Sequence, residues 1–284
     1  MKRILACEAS DFGQKSTPFE LKKAIKLSEG RVVLVNLAAE EAPLYPEVTN
    51  GEMAAAFGAD LILLKAIDVQ KMVVGGLGEI NHLSAVRQLT GTGVGINLEI
   101  ADNVANYKRV NDESIQEAMK KGADFLSLTA YVKPETTMAR IVADIQLTRE
   151  YYQGFLMLNP VVSHGMDLSK ADLLQYVKAG VDMIVLPSPG SVAGVTEGKL
   201  AEIISSVRAE GCLVSCTVGT SQEGTDKETI QQIALSAKRA GADVFELGDA
   251  GVSGMPVPTT ILDASISIRG RRHTFVRMAR SSKR

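Results

Sequence analysis

Three cysteines in 284 residues, Cys7, Cys212 and Cys216, are too few and too scattered for a disulfide framework. None stands in a close metal-type pair such as Cys-x-x-Cys, and reduced thiols of a cytoplasmic protein are expected. No apolar run approaches the length needed to cross a bilayer, and the one at the N-terminus is broken by Glu8 and Asp11, which makes it too short for a signal peptide. A membrane partner is therefore not expected. Charge of one sign is also missing: 31 basic residues face 33 acidic ones, a net charge of -2 that does not suggest a polyanion binder.

What the chain does have is repetition. Gly58-Ala59-Asp60, Gly122-Ala123-Asp124, Gly180-Val181-Asp182 and Gly241-Ala242-Asp243 each precede a short apolar run, the pattern of a helix stop followed by a strand. With the less regular copies included, apolar runs begin near Arg31, Asp60, Thr92, Asp124, Gly154, Asp182, Gly211 and Asp243, at spacings of 28 to 32 residues. Eight strand-helix units of this length are what a (β/α)8 TIM barrel requires. The fold class is α/β, one TIM-barrel domain over residues 1–284: an N-terminal strand/helix preface (1–30), the barrel (31–268) and a basic C-terminal helix or tail (269–284). The strand of the preface is the short run from Ile4 to Cys7, and its helix opens on a capping-box pattern at Thr17-Pro18-Phe19-Glu20. The preface is expected to plug the bottom of the barrel; a ninth strand is the rival. Two long loops on the carboxyl side of the strands, residues 38–51 and 69–78, are candidate lids.

Stacking the eight runs by their starts predicts which face is which. Positions two and four beyond each start are apolar in every unit except at Ser215, so that face is assigned to the helices and its alternate to the lumen. Five residues beyond each start, at the lumenal carboxyl ends, stand Asn36, Lys65, Asn97, Thr129, Asn159, Pro187, Cys216 and Gly248. A polar ring at this height points to an active site, because barrel enzymes place their chemistry there.

Lys65 is the single cation of the ring. It is read as a charge aimed at an anionic substrate, as an amine whose pKa desolvation lowers enough to form a Schiff base, or as a lysine paired with a carboxylate. Glu246 lies one layer lower and must either pair with Lys65 or stay protonated. Asn97, Glu99 and Asn159 complete the set around the reacting carbon, and His164, in the loop after strand five, is the histidine placed for general acid-base work. His82 reads as a helix start and His273 as part of the tail. Glu99 and Asp249, with Asp68 and Asp102 nearby, are the carboxylates that could hold Mg²⁺ or Mn²⁺; no other cofactor is implied. Phosphate is expected on the loops after strands seven and eight, through Gly219, Thr220, Ser221, Gly248, Gly251, Ser253 and Gly254.

The run Gly219-Thr220-Ser221-Gln222-Glu223-Gly224, then Gly248-Asp249-Ala250-Gly251 and Ile268-Arg269-Gly270-Arg271-Arg272-His273-Thr274, resembles a bacterial family of uncharacterised barrel proteins over nearly the whole chain. Its members carry automatic names such as haloacid dehalogenase-like hydrolase or phosphoenolpyruvate phosphonomutase-like protein. The resemblance implies the barrel and phosphate handling but no established reaction. The residues depart from both names: Asn36-Leu37-Ala38 replaces an Asp-x-Asp after strand one, and Asn97-Leu98-Glu99 replaces paired aspartates after strand three.

The basic tail, with Arg269, Arg271, Arg272, Arg277, Arg280, Lys283 and Arg284, is read over residues 266–280 as a helix with Ile268, Phe275, Val276 and Ala279 inward and arginines outward. It has too little aromatic interleaving for a nucleic-acid partner, and a contact between subunits of a homo-oligomer is expected. The functional expectation is an enzyme of lyase or isomerase type acting at a carbonyl carbon of a small phosphorylated or anionic metabolite. The alternatives are a metal-assisted hydrolase of a phosphorylated substrate and a non-catalytic metabolite-binding or regulatory barrel.

Overall fold

Eight apolar runs close into one parallel barrel in the computed structural model, which describes residues 2–13, 18–131, 136–161, 169–219 and 221–283. The strands are β1 (Val32–Ala38), β2 (Leu61–Lys65), β3 (Gly93–Glu99), β4 (Phe125–Tyr131), β5 (Phe155–Val161), β6 (Met183–Pro187), β7 (Leu213–Val218) and β8 (Val244–Leu247). Each pairs with the next, and β8 closes on β1 with Leu34 opposite Glu246. Both faces of these strands are covered, which is why they read as nearly continuous Val, Ile and Leu.

Helices connect the strands: α1 (Pro18–Lys26), α2 (Asn50–Ala56), α3 (Ser84–Thr90), α4 (Asp112–Lys120), α5 (Met138–Tyr151), α6 (Lys170–Ala179), α7 (Glu197–Ala209), α8 (Lys227–Ala240) and α9 (Pro258–Met278). Their starts are set by local chemistry. Asn111, Thr137, Ser169, Thr196 and Asp226 each accept a hydrogen bond from the backbone amide three residues on, which satisfies a donor the helix leaves open.

Two apolar clusters fix the architecture. One, with Val33, Val35, Ile62, Leu64, Val94, Ile96 and Leu98 among its members, lies between the strands and the helices. The other fills the lower lumen with Val32, Leu34, Leu61, Leu63, Phe125, Phe155, Met157 and Met183, and is stoppered from below by Ile4, Cys7, Leu21, Ala24 and Ile25. The preface is therefore a plug, as expected, but its first segment is a 3-10 turn at Ile4–Ala6 rather than a strand. Thr17 lies outside the described residues. Phe125 crosses the lumen only because residue 95 is glycine: a β-carbon there would stand 2.3 Å from the ring.

Strand seven corrects the face assignment. Seven strands begin one residue after the expected start, and β7 begins two after, at Leu213. The expected start was set on Gly211 itself, whereas Arg31 and Thr92 follow their glycines by one. A slip of one residue swaps every side chain of a strand between faces. Cys216 accordingly packs in the outer cluster, and Ser215 and Thr217 turn inward.

The repeated aspartates bind the bottom of the barrel in four equivalent ways. Asp60, Asp124, Asp182 and Asp243 each accept from the backbone amide that opens the strand before them, at Val33, Val94, Leu156 and Val214. Each also meets an arginine from the helix one unit back along the ring: Arg269, Arg87, Arg149 and Arg208 respectively. The same four arginines donate to the carbonyls of Gly58, Gly122, Gly180 and Gly241. The barrel is thus four (β/α)2 quarters, each closed by one Arg-Asp clamp.

The basic tail is packed as expected at Ile268, which is buried, and at Arg271 and Arg272, which are exposed, and the opposite way elsewhere. Arg269 and Arg277 are buried, while Phe275 and Val276 are half exposed. Arg277 donates to the carbonyls of Ala59 and Thr90, and Arg280 to those of Cys7 and Leu5. Carbonyls left unpaired at the strand entrances need donors more than the interface needs hydrocarbon, and a long arginine supplies both. The helix is interrupted at Gly270, whose backbone is non-helical, one residue past the expected start of the tail at 269.

Candidate active site at the barrel mouth

The carboxyl ends of the strands hold a polar set inside an otherwise apolar barrel. Asn36, Asn97, Ser127, Thr129, Ser215 and Glu246 are all buried. Their alternation with apolar neighbours follows from the two-residue period of the strands, so the sequence ring stands at seven of its eight positions, with Thr217 in place of Cys216.

Above this layer lies a cavity of about 200 Å³, lined by Asn36, Lys65, Tyr131, Asn159, Pro187, Ser191, Thr217, Gly219, Glu223, Gly248 and Asp249 among others. Lys65 enters it from the end of β2, and its Nζ stands 3.9 Å from Asp249 Oδ1. Burial opposes the Lys65 charge, yet Asp249, Tyr131, Glu246 and Glu99 together outweigh it and hold its pKa above the ordinary lysine value. The carboxylate beside Lys65 matches the third reading, a lysine paired with an acid, and the raised pKa works against the free amine that a Schiff base needs.

Glu246 is one layer down, 1 % exposed. Asn36 Nδ2 donates to its Oε1 at 3.0 Å and Ser215 Oγ to its Oε2 at 2.9 Å. Burial pushes its pKa up against the opposing pull of Asn36, Ser215 and Lys65. Its direct contacts are the Asn36 amide and the Ser215 hydroxyl rather than the Lys65 ammonium. Thr129 Oγ1 donates to Asn97 Oδ1 at 2.7 Å. Asn36 Oδ1, Asn97 Nδ2 and Ser127 Oγ have no partner among the described residues.

Not all expected residues meet. Lys65, Asn36 and Asn159 share the cavity; Asn97 lies beneath it. Glu99 lines an adjoining cavity of about 510 Å³ with Asp102, Arg140 and Tyr131, the tyrosine facing both. Burial raises the Glu99 pKa, and Lys65 and Lys108 lower it. His164 and Thr220 lie outside the described residues. His82 accepts from the Ser84 amide at the start of α3, as a helix-opening residue would.

Three of the carboxylates expected near a Mg²⁺ or Mn²⁺ ion have other partners. Asp68 accepts from the amides of Gln70 and Lys71, Asp102 meets Arg140, and Asp249 meets Lys65. Among the described residues no three His, Cys, Asp or Glu side chains are grouped to hold a metal ion. Glu99 and Asp249 both act on the charge of Lys65, and a Mg²⁺ site can rest on as few as one or two carboxylates.

The phosphate loops divide in two. Gly219 and Gly248 line the cavity. Gly251, Ser253 and Gly254 instead form a turn, Val252 paired with Met255, that docks on the first loop: Asn50 donates to the Ser253 carbonyl and Ala38 to that of Gly254. Ser221 opens the 3-10 turn Gln222–Gly224. The candidate lids are likewise tied into the rim, with the hairpin Val73–Val74 and Gly78–Glu79 held to Ala39 through the Gly75 amide.

The residue the sequence reading missed is Glu223. It is 1 % exposed and lines the cavity between the last two loops. A β-carbon at residue 248 would stand 2.0 Å from its Oε1, so glycine there is what admits the carboxyl group. Burial raises its pKa; its own amide and that of Ala250 pull it down, as does Lys65, while Asp249 opposes them. The signal was present: an acid inside a loop taken for an anion cradle contradicts that role unless it is neutral or turned away.

Comparison with known proteins supports the architecture. One family model spans residues 5–284. No curated protein matches the chain. Among solved structures, the carboxyl transferase domain of Rhizobium etli pyruvate carboxylase is similar at a TM-score of 0.55 and 13% identity, over 92% of this chain and 50% of that one. The chain thus spans half the length of that relative. Thiamine phosphate pyrophosphorylase from Pyrococcus furiosus is similar at a TM-score of 0.53 and 17% identity, over 86% of this chain and all of that one. At these identities the likeness shows the barrel fold. The hydrolase and phosphonomutase names that the sequence resemblance carried do not occur in these comparisons.

Proposed function

The chain belongs to the family described as Domain of unknown function (DUF7916), a description that carries no reaction, and from the mouth of its barrel we propose an enzyme that acts on a small anionic metabolite. One observation carries the reading: Lys65 keeps its charge inside a cavity of about 200 Å³ at the carboxyl ends of the strands. A half-buried ammonium set among amides and hydroxyls, with the Asp249 carboxylate beside it, is a seat for a carboxylate or phosphoryl group, and it stabilises negative charge that develops on a neighbouring carbonyl oxygen. Asn36, Asn159, Thr217, Ser191 and Tyr131 add donors around it, and the backbone at Gly219 and Gly248 adds the closest approach.

The chemistry this set supports is proton transfer at a carbon next to a carbonyl, of lyase or isomerase type. The ammonium disperses enolate charge, and carboxyl groups within the same cavity accept and return the proton. Phosphate on the last two loops is narrowed to the Gly219 and Gly248 edge of the cavity.

The test has two parts. Oxalate and sulfate at saturating concentration raise the Tm of the wild-type chain by on the order of 5 °C and leave Lys65→Met unmoved. A panel of 2-oxo acids and phosphorylated sugars in deuterated water, followed by proton NMR, then shows loss of the C–H signal next to the carbonyl with the wild type alone. Failure of both anions to bind overturns the reading. Binding without exchange across the panel favours the regulatory, non-catalytic barrel.

A further inference from the structure

The most unusual group in the cavity is the Glu223 carboxyl, and its surroundings constrain how an anion can enter. Two observations bear on it independently. Its Oε2 is buried and has no hydrogen-bond partner among the described residues, although Glu223 lines the cavity. Oε1 is wedged over Gly248, with the amides of Glu223 and Ala250 lowering its pKa. An oxygen left without a donor in an enclosed polar site is costly when ionised, and it has an obvious use when protonated.

The charged groups facing Glu223 are few. Asp249, on the loop after β8, repels it; Lys65, on β2, attracts it. Lys65 is already engaged by Asp249. An anion seated on Lys65 therefore arrives where two carboxylates already stand, and like charges in a partly desolvated site cannot all persist. Glu223 is the more buried of the two, and its Oε2 is the oxygen that lacks a partner among the described residues, whereas Asp249 is partly exposed and stands beside Lys65.

We propose that Glu223 binds the ligand as a neutral acid, its Oε2–H donating a hydrogen bond to the anion held by Lys65, so that the cavity takes up one proton with each anion. The ligand class follows. The site accepts a carboxylate or phosphoryl oxygen that can receive a hydrogen bond from a carboxylic acid while it meets an ammonium. The shared feature is a compact oxyanion, and a carboxylate probe and a tetrahedral oxyanion probe distinguish the two sources. This inference rests on the anion-binding reading of the cavity.

Oxalate and sulfate are suitable probes because both remain dianions from about pH 6.5 to 9. Calorimetric titration of the intact chain in two buffers of different ionisation enthalpy counts the protons bound with each probe. About one proton per anion is expected toward the alkaline end, with affinity falling about tenfold for each pH unit there. Glu223→Gln is expected to bring the count near zero and flatten the profile while the probe still binds. A probe that binds only as a tetrahedral oxyanion, with its proton, assigns the site to phosphoryl groups, and one that binds only as the dicarboxylate assigns it to carboxylates.

Binding without proton uptake in the wild type overturns the inference and leaves the anion reading standing. Uptake that persists in Glu223→Gln also overturns it, since another acid then carries the proton. No binding of either probe sinks the anion reading first. Should Glu223→Gln not fold, the wild-type count still decides, because the inference requires uptake with each anion at the alkaline end and a count of zero there contradicts it.

Discussion

Arg269 closes on Asp60, 209 residues earlier in the chain, in the same way that Arg87 closes on Asp124. The first clamp joins the C-terminal helix to the entrance of β2, and it is the contact that makes the fourth quarter of the barrel equivalent to the other three. Both side chains are almost fully buried.

That burial predicts an uneven response to mutation. Arg269→Met leaves the buried Asp60 with only the more distant Arg277, 3.9 Å away, and is expected to cost about 3 kcal/mol in urea unfolding. Arg208→Met removes the corresponding clamp on Asp243, but Arg208 is 45% exposed, and the loss should be about 1 kcal/mol or less. Equal losses would contradict the burial argument.

Glu246 predicts a pH dependence of stability. Its folded pKa is raised, so the folded state binds a proton that the unfolded chain releases at lower pH. Stability from this group is full below the ordinary glutamate range and declines as pH rises through the raised folded value, by about 1.4 kcal/mol for each pH unit that separates the unfolded pKa from the folded one. Glu246→Gln keeps acceptor and donor capacity toward Asn36 and Ser215 and removes the titration. Thermal unfolding of the variant should lose this alkaline decline, while the wild type keeps it.

Lys65 predicts a negative result. With its pKa held high, it offers little free amine near neutral pH. Borohydride with pyruvate or a small aldehyde should leave its mass unchanged under conditions in which a Schiff-base lysine would be trapped. A stable adduct on Lys65 would show that ligand binding removes one of the acids that hold the charge.

The thiols should be inert in the native state. Burial raises Cys7 to about 11 and Cys212 to about 12, and it pushes Cys216 higher still. Thiolate is the reactive form, so alkylation by iodoacetamide at neutral pH should follow global unfolding in urea rather than precede it. Early labelling of Cys216 would place it outside the outer core.

Gly248 links the site to the fold. Gly248→Ala would set a methyl 2.0 Å from Glu223 Oε1 and 2.9 Å from the Val218 carbonyl. The expected outcome is weaker oxalate and sulfate binding together with a stability loss of roughly 1 to 3 kcal/mol from overpacking, read by calorimetry and urea unfolding.

The sequence by itself determined the barrel. Gly-x-Asp before four of the apolar runs sets the spacing that the four less regular runs complete, and alternation within the runs separates lumen from helix face, because a strand in this fold buries one side against helices and the other in the lumen. Lys65, Asn36 and Asn159 were legible for the same reason: a polar residue at the inward end of a strand is expensive anywhere but at the mouth. What local pattern does not encode is which groups from distant units meet. The slip at Gly211 followed from a loop one residue different in length, which moved Cys216 outward. Glu223 was hidden because its burial depends on Gly248, 25 positions later. The arginines of the last helix read as a solvated face, since charge along one helix says nothing of the carbonyls and carboxylate waiting at the strand entrances. Those partners come from opposite ends of the chain, and only closure of the barrel brings them within hydrogen-bond reach.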